Sequence, residues 1–201
     1  MYIPKYFEQK DIHEIFDFIQ TYNFGIVISF DGEKSTETHL PFVAEIIDGK
    51  IRLYSHLSKA NKQYKYFSEE KDTLIIFSEP HSYISPTMYE HQQNVPTWNY
   101  IAVHLYGKIT LSKNDEEKLG IINKQIAVYE SEYKKQFDQL DKKYIDELLK
   151  GIESFTVHVE NIQCQEKLSQ NKTAKEKQNI QQHLSASSDK NLMYLANKMK
   201  Q

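Results

Sequence analysis

The chain has 201 residues, 39% hydrophobic and 26% charged, with a net charge of −3; this suits one packed domain, or a domain with a small appendage, and excludes a strongly basic nucleic-acid binder. Cys164 is the only cysteine, so an internal disulfide is excluded and a reducing compartment is the natural setting. No apolar run reaches the ~18 residues needed to span a bilayer, and Met1 to Lys5 lack a signal-peptide pattern, so a cytoplasmic protein without membrane contact is expected.

Asp11 and Glu14 have the spacing of a capping box. Ile12, Ile15, Phe16 and Ile19 follow at helical intervals, predicting a helix that ends near Tyr22. Phe24 to Phe30 reads as a strand ending at an Asp31-Gly32 turn, and Thr36 to Ile47 as a second, interrupted by Pro41. Asp48-Gly49 is another hairpin signal, and Ile51 to Leu57 returns as a strand. Two such turns favour an antiparallel meander over parallel βαβ units. Ser58 to Phe67 predicts a short helix with Ser58 as its cap. Thr73 to Phe77 is a compact strand, and Ser78 to Thr97, with three prolines, a structured loop.

Trp98 to Leu111 is the longest strand candidate, with Ile101, Val103 and Leu105 alternating against polar neighbours. Acids at 115–117 open a helix to about Tyr133. A second helix over 141–150 stops at Gly151, a left-handed terminator. Ile152 to Val159 is the closing strand. A last helix over 189–199 carries a Leu192, Leu195, Ala196, Met199 stripe that must pack on this chain or a partner. The expected class is therefore α+β, mostly β with about six antiparallel strands closing as a barrel or sandwich. The expected division is a domain over 1–184 and a helical tail over 185–201. Residues 161–201 hold seven Lys and three acids, a mildly basic tail that could touch DNA phosphate but fits a solvated helical surface better.

The eight histidines show no zinc spacing, there is no Gly-x-Ser-x-Gly elbow, and no Gly-x-Gly phosphate loop. No metal site is expected, and no residue stands out as a general acid, base or nucleophile. Four segments mix hydroxyls, amides and aromatics at strand ends: residues 37–42, 55–61, 83–89 with 95–100, and 167–171. That mixture fits a flat, partly polar ligand with an anionic tail. Ser58, Lys59 and Asn61 lie where a strand hands over to a helix, a place suited to phosphate. Trp98 and Tyr89 offer faces for a conjugated ring, and Ser85, Asn99 and Gln170 could serve its polar edge. A plain structural account also fits: a capping Ser58, a solvated Lys59, a core Trp98 and bonded amides.

Met1 to Phe7, His39-Leu40-Pro41-Phe42, His56 with Lys59-Ala60-Asn61, Tyr83-Ile84-Ser85-Pro86, Val95 to Tyr100 with Val103-His104 and Gly107, and Lys167 to Asn171 occur in that order. Over about residues 1–175 the chain resembles the PaiB-like family of FMN-binding negative transcriptional regulators. The resemblance implies an FMN-binding split β-barrel similar to pyridoxamine-phosphate oxidases and flavin reductases, forming a homodimer with FMN at the interface. It implies Ser58, Lys59 and Asn61 at the phosphate. Thr38, His39, Leu40, Ser55 and His56 would lie beside the flavin, and Trp98, Asn99, Gln170 and Asn171 would close the site. Lys62 and Lys172 stand where the family often has Pro and Arg. The implied role is negative regulation of protease synthesis and sporulation, or flavin-linked sensing. The alternatives are an FMN-dependent oxidoreductase of unknown substrate and a haem-binding or haem-degrading split barrel that would use His39, His56 or His104.

Overall fold

The computed structural model describes residues 1–91 and 93–200. Its strands are β1 (Glu8–Gln9), β2 (Phe24–Phe30), β3 (Ser35–Pro41), β4 (Val43–Ile47), β5 (Lys50–Ser58), β6 (Thr73–Phe77), β7 (His81–Ile84), β8 (Thr97–Leu111) and β9 (Ile152–Lys167). Its α-helices are α1 (Ile12–Thr21), α2 (Asp115–Tyr129), α3 (Lys134–Phe137), α4 (Lys142–Lys150), α5 (Ala174–Ser185) and α6 (Lys190–Lys198). The chain divides into a larger unit, Ile12–Phe77 with His104–Ile162, and a smaller one, Met1–Asp11 with Ser78–Val103 and Gln163–Gln201.

The larger unit is built on an antiparallel sheet in the order β3-β2-β6-β8-β9-β5-β4. β3 passes into β4 through Phe42 alone, yet the two stand at opposite ends of that order. The sheet must therefore curl until its edges approach. Ser55 Oγ on β5 donates to the carbonyl of Pro41, the last residue of β3, at 2.7 Å. Curling into a half-barrel shortens the exposed edges an open sheet would leave. Buried Phe42 meets Phe77 edge-on at 5.6 Å and Phe155 at 6.3 Å, and Phe67 packs on Phe155 at 4.9 Å. Period-two burial supplies the rest: Ile101, Val103, Leu105, Phe155, Val157 and Val159 are all buried, as the alternation predicts. At Gly107 on β8 a Cβ would sit 2.3 Å from the His158 carbonyl oxygen of β9, so this close approach leaves no room for a side chain.

Several boundaries differ from the sequence-based expectation. The region from Thr36 to Ile47 is two strands, because Pro41 ends the pairing of β3 with β2 and β4 turns to pair with β5. Ser58 does not cap a helix. It ends β5, and the helix is a 3-10 turn over Lys62–Tyr66 capped by Asn61, whose Oδ1 accepts from Gln63 N. The 78–97 loop contains β7, paired with β8, and a 3-10 turn over Pro86–Met88. α2 stops at Tyr129 and gives way to a 3-10 turn and α3. Gly151 ends α4 in right-handed geometry (φ −84°), so its freedom to adopt positive φ is not what stops the helix. β9 continues past Val159 to Lys167, and near its end Cys164 and Gln165 pair with Gln9 and Glu8 of β1. These additions give nine strands among the described residues where about six are expected.

In the smaller unit, Thr173 and Glu176 form a reciprocal capping box that starts α5. Ile180 and Leu184 on α5 and Leu195 and Ala196 on α6 are fully buried where the two helices pack together. The stripe on the last helix thus packs within the chain.

Candidate functional site

The thirteen residues singled out from the sequence fall into two clusters, one in each unit. In the larger unit, Thr38, His39 and Leu40 follow one another on β3, opposite Val27, Ile26 and Gly25 of β2. Strand alternation separates their side chains: Leu40 is buried, Thr38 half-buried and His39 exposed. His39 stacks on exposed Phe24 at 6.3 Å. Asn61 reaches Thr38 directly, its Nδ2 donating to Thr38 Oγ1 at 2.7 Å. Between them sits a residue that the sequence reading passed over. Gln63 is 1% exposed, and its Nε2 donates to Val27 O, Ser29 Oγ and Thr36 O while its Oε1 accepts from Thr38. Asn61 and Gln63 therefore pin the turn to β2 and β3.

The rest of that turn faces outward. Lys59 N donates to Gly151 O, Ala60 N to Ser58 Oγ and Asn61 N to Ser58 O, so these backbone amides are already engaged. What remains for a ligand is side-chain chemistry: the Ser58 hydroxyl and the ammonium groups of Lys59 and Lys62. The Lys59 side chain is 52% exposed, with a 3.3 Å ion pair to Glu153. Glu153 is shared with buried Lys118 at 3.7 Å, whose ammonium also donates to the carbonyls of Leu149 and Ile152.

Ser55 is fully buried, its hydroxyl committed to Pro41 O, so it acts on the sheet closure. His56 points to α2, where its Nδ1 donates to Gln125 Oε1 at 2.8 Å. Burial holds this imidazole below its ordinary pKa of 6.5, and the Gln125 bond opposes that in part. His56 lines a cavity of about 250 Å³ with Ile122, Ile126 and Tyr129.

In the smaller unit, Ser85 caps the 3-10 turn, its Oγ accepting from Thr87 N at 3.2 Å. Trp98 is 51% exposed on the β7–β8 ribbon, stacked with His81 (5.7 Å between ring centres, 21° between planes) and met edge-on by Tyr83 at 5.9 Å. It is a surface aromatic platform, not a core residue. Asn99 is fully buried, its Oδ1 accepting from Ser169 Oγ at 2.9 Å. Gln170 folds back on its own chain, its Nε2 donating to Glu166 O and its Oε1 accepting from Leu168 N. Asn171 is exposed. Asn99 and Asn171 line a cavity of about 200 Å³ whose wall includes Tyr89, Lys167 and Lys172. Lys167 belongs to the 167–171 segment singled out from the sequence, and Lys172 follows it directly, though neither was named as a site residue. Both lie in the Lys167–Lys172 stretch, so proximity to Gln170 was the signal that could have found them. Cys164 is buried, and burial pushes its thiol up to about 12, which removes it as a nucleophile.

Among the described residues, no group of three or more His, Cys, Asp or Glu is placed to hold a metal ion. No helix among them is long and apolar enough to cross a membrane.

A family model described as "Putative FMN-binding domain" matches residues 1–161. The chain belongs to this FMN-binding family, in its PaiB-like branch. It is 35% identical over 205 residues, 99% of this chain and 96% of the relative, to "Protease synthase and sporulation protein PAI 2" of Bacillus subtilis (strain 168). Two solved structures share its fold. The FAD and heme binding protein from Mycobacterium smegmatis has a TM-score of 0.64 at 12% identity, over 85% of this chain and 78% of that one. The flavocytochrome Anf3 from Azotobacter vinelandii has a TM-score of 0.63 at 15% identity, over 82% and 72%. The α+β half-barrel with a curled antiparallel sheet is thus the split-barrel fold that the resemblance implies, and FMN is the cofactor of the family.

Proposed function

We propose that this protein binds FMN as a homodimer and serves as a flavin-linked regulator, with a role in protease synthesis and sporulation control of the kind named for its Bacillus relative. The observation that carries the flavin reading is the turn after β5. It presents the Ser58 hydroxyl and the Lys59 and Lys62 side chains to solvent, while Thr38, Asn61 and Gln63 hold it rigid from beneath. Rigid placement of outward cations suits a terminal phosphate, because little side-chain freedom is left to lose on binding. Buried Leu40 and Ser55 shape the strand ends, and His39 and His56 flank them. In the smaller unit, the Trp98 platform is assigned to an isoalloxazine ring held by the partner copy in the dimer, and Ser85, Asn99, Gln170 and Asn171 belong to that same unit. When bound, FMN supplies electron or hydride transfer, and the protein contributes placement and electrostatics.

Titration of the protein with FMN, followed by flavin fluorescence, tests this. Saturable quenching is expected, and Lys59→Ala should weaken binding about tenfold, the usual value of one charge-assisted contact. Unquenched flavin at large excess would sink the reading.

A second reading, haem binding, has one observation in its favour. His56 is anchored through Nδ1, as metal-ligating histidines commonly are, is held neutral by burial, and borders a cavity. A haemin Soret band lost in His56→Ala, with FMN binding absent, would favour it.

A further inference from the structure

A buried charge lies behind the turn after β5. Lys118, on α2, is 8% exposed, and the flavin reading does not use it. Its ammonium donates to Leu149 O at 3.3 Å and to Ile152 O at 2.9 Å, and it lies 3.7 Å from Glu153 Oε2. The other oxygen of the same carboxylate, Oε1, lies 3.3 Å from Lys59 Nζ. One carboxylate thus stands between two ammonium groups, one buried and one outward. Lys59, Lys118 and Glu153 all belong to the larger unit.

The backbone holds this triad in place. β5 pairs with β9 so that Leu57 stands opposite Glu153 and Ser58 opposite Ile152, and Lys59 N donates to Gly151 O at 2.9 Å. The junction of α4 and β9 is therefore bonded both to the turn and, through two carbonyls, to Lys118. Two carbonyls do not require a full charge, since a neutral amide donor would satisfy them, and burying an ammonium group is costly unless it is paired. What the charge adds is neutralisation of Glu153.

Exposure separates the two halves of the triad. The Lys118 and Glu153 side chains are 10% and 13% exposed, so their attraction is weakly screened. The Lys59 side chain is 52% exposed, so its pair with Glu153 has the small net value of a surface ion pair and exchanges readily for another anion. Without Lys118, Glu153 would keep Lys59 as its counter-charge and compete with a phosphate for it. Lys62 adds another ammonium to the turn, its Nζ 3.4 Å from Lys59 O. Three ammonium groups against one carboxylate leave two positive charges, the complement of a phosphate monoester, which carries about −2 near neutral pH.

We propose that Lys118 is a positioning residue for the flavin phosphate: by neutralising Glu153 from within, it leaves Lys59 able to exchange its ion pair for the phosphoryl group. The inference rests on the flavin reading and names the residue pair that sets how strongly that site recognises the phosphate.

The test compares FMN with riboflavin, which lacks the phosphate, by fluorescence titration of the full chain. Lys118→Met keeps the length of the side chain and removes its charge. It should weaken FMN binding about tenfold, as Glu153 turns wholly to Lys59, and leave riboflavin binding unchanged. Adding Glu153→Gln to Lys118→Met removes both buried charges and should restore FMN affinity to within about twofold of wild type. A purely structural lysine does not produce restoration by the loss of a second buried contact. Glu153→Gln alone keeps both carbonyl bonds of Lys118 and should tighten FMN about threefold; it decides the matter where Lys118→Met does not fold. Four results overturn the inference while wild-type flavin binding stands: FMN and riboflavin weakened alike by Lys118→Met, FMN not weakened by it, a double variant no better than the single one, or Glu153→Gln that does not tighten FMN. Wild-type FMN binding no tighter than that of riboflavin overturns it as well. A wild-type chain that binds neither flavin removes the flavin reading, and this inference with it.

Discussion

In the turn after β5, Asn61, Gln63 and Thr38 bond to one another and to the backbone of β2 and β3, and every inward polar group has a partner. After β9, in the other unit, similar residue types leave, among the described residues, two lysines without a carboxylate and a tyrosine hydroxyl without a partner. The first arrangement is what holding a backbone requires, and the second leaves polar groups that the fold itself does not use. Polar residues at strand ends look alike in composition, and only their hydrogen-bond ledger tells scaffold from site.

The comparison breaks most visibly if the smaller unit is loosely packed and its unpaired groups merely reflect that. Cys164 reports on this. With its thiol pushed from 9.0 to about 12 by burial, its thiolate fraction near pH 8 is about a thousandfold below that of a free cysteine. Iodoacetamide should leave it unlabelled in the native protein and label it promptly in denaturant. Rapid native labelling would mean that the unpaired groups are a symptom of looseness.

In the larger unit, Gln63→Ala strands the carbonyls of Val27 and Thr36 and should lower unfolding free energy by about 3 kcal/mol in urea titration. Asn61→Ala, which removes a cap and the Thr38 bond, should cost about 1–2 kcal/mol. Losses well under 1 kcal/mol for both would show that the turn is not held by this network.

The finest test is pH. His56 has a folded pKa below 6.5, chiefly through burial, so the folded state binds fewer protons than the unfolded chain. Its contribution is full above about pH 6.5 and is lost as pH falls from there toward the lower folded value. His104, also held low by burial, acts in the same direction. His56→Gln should therefore reduce, without abolishing, the drop in urea midpoint between neutral and mildly acidic pH; an unchanged drop would show that His56 is not held neutral.

Much of the fold was legible along the chain. α1, β2, β6, β8 and the start of β9 follow from periodicity, and positive φ at Asp48 and Gly49 shows that the Asp-Gly hairpin signal was read correctly. The second half of β9 was not legible, since Asn161 to Lys167 is mostly polar and its pairing with β1, at Cys164 and Gln165, joins residues far apart in the chain. Ser58 was misplaced as a cap because a serine before a polar stretch looks the same whether the next amide is helical or not. Within the candidate site, Thr38 and Asn61, assigned from the sequence to different parts of it, bond to each other, and Gln63 was invisible, because a lone glutamine carries no pattern until three acceptors surround it.

The sequence by itself determined the family, through the ordered motifs that carry the resemblance, and it determined the antiparallel character and the apolar faces, because side-chain alternation and turn chemistry act over a few neighbouring residues. The tertiary structure alone decided that β3 and β4 occupy opposite edges of one curled sheet. It also decided which polar residues have all their partners and which keep an open valence, because hydrogen bonds and ion pairs are settled between segments tens of residues apart.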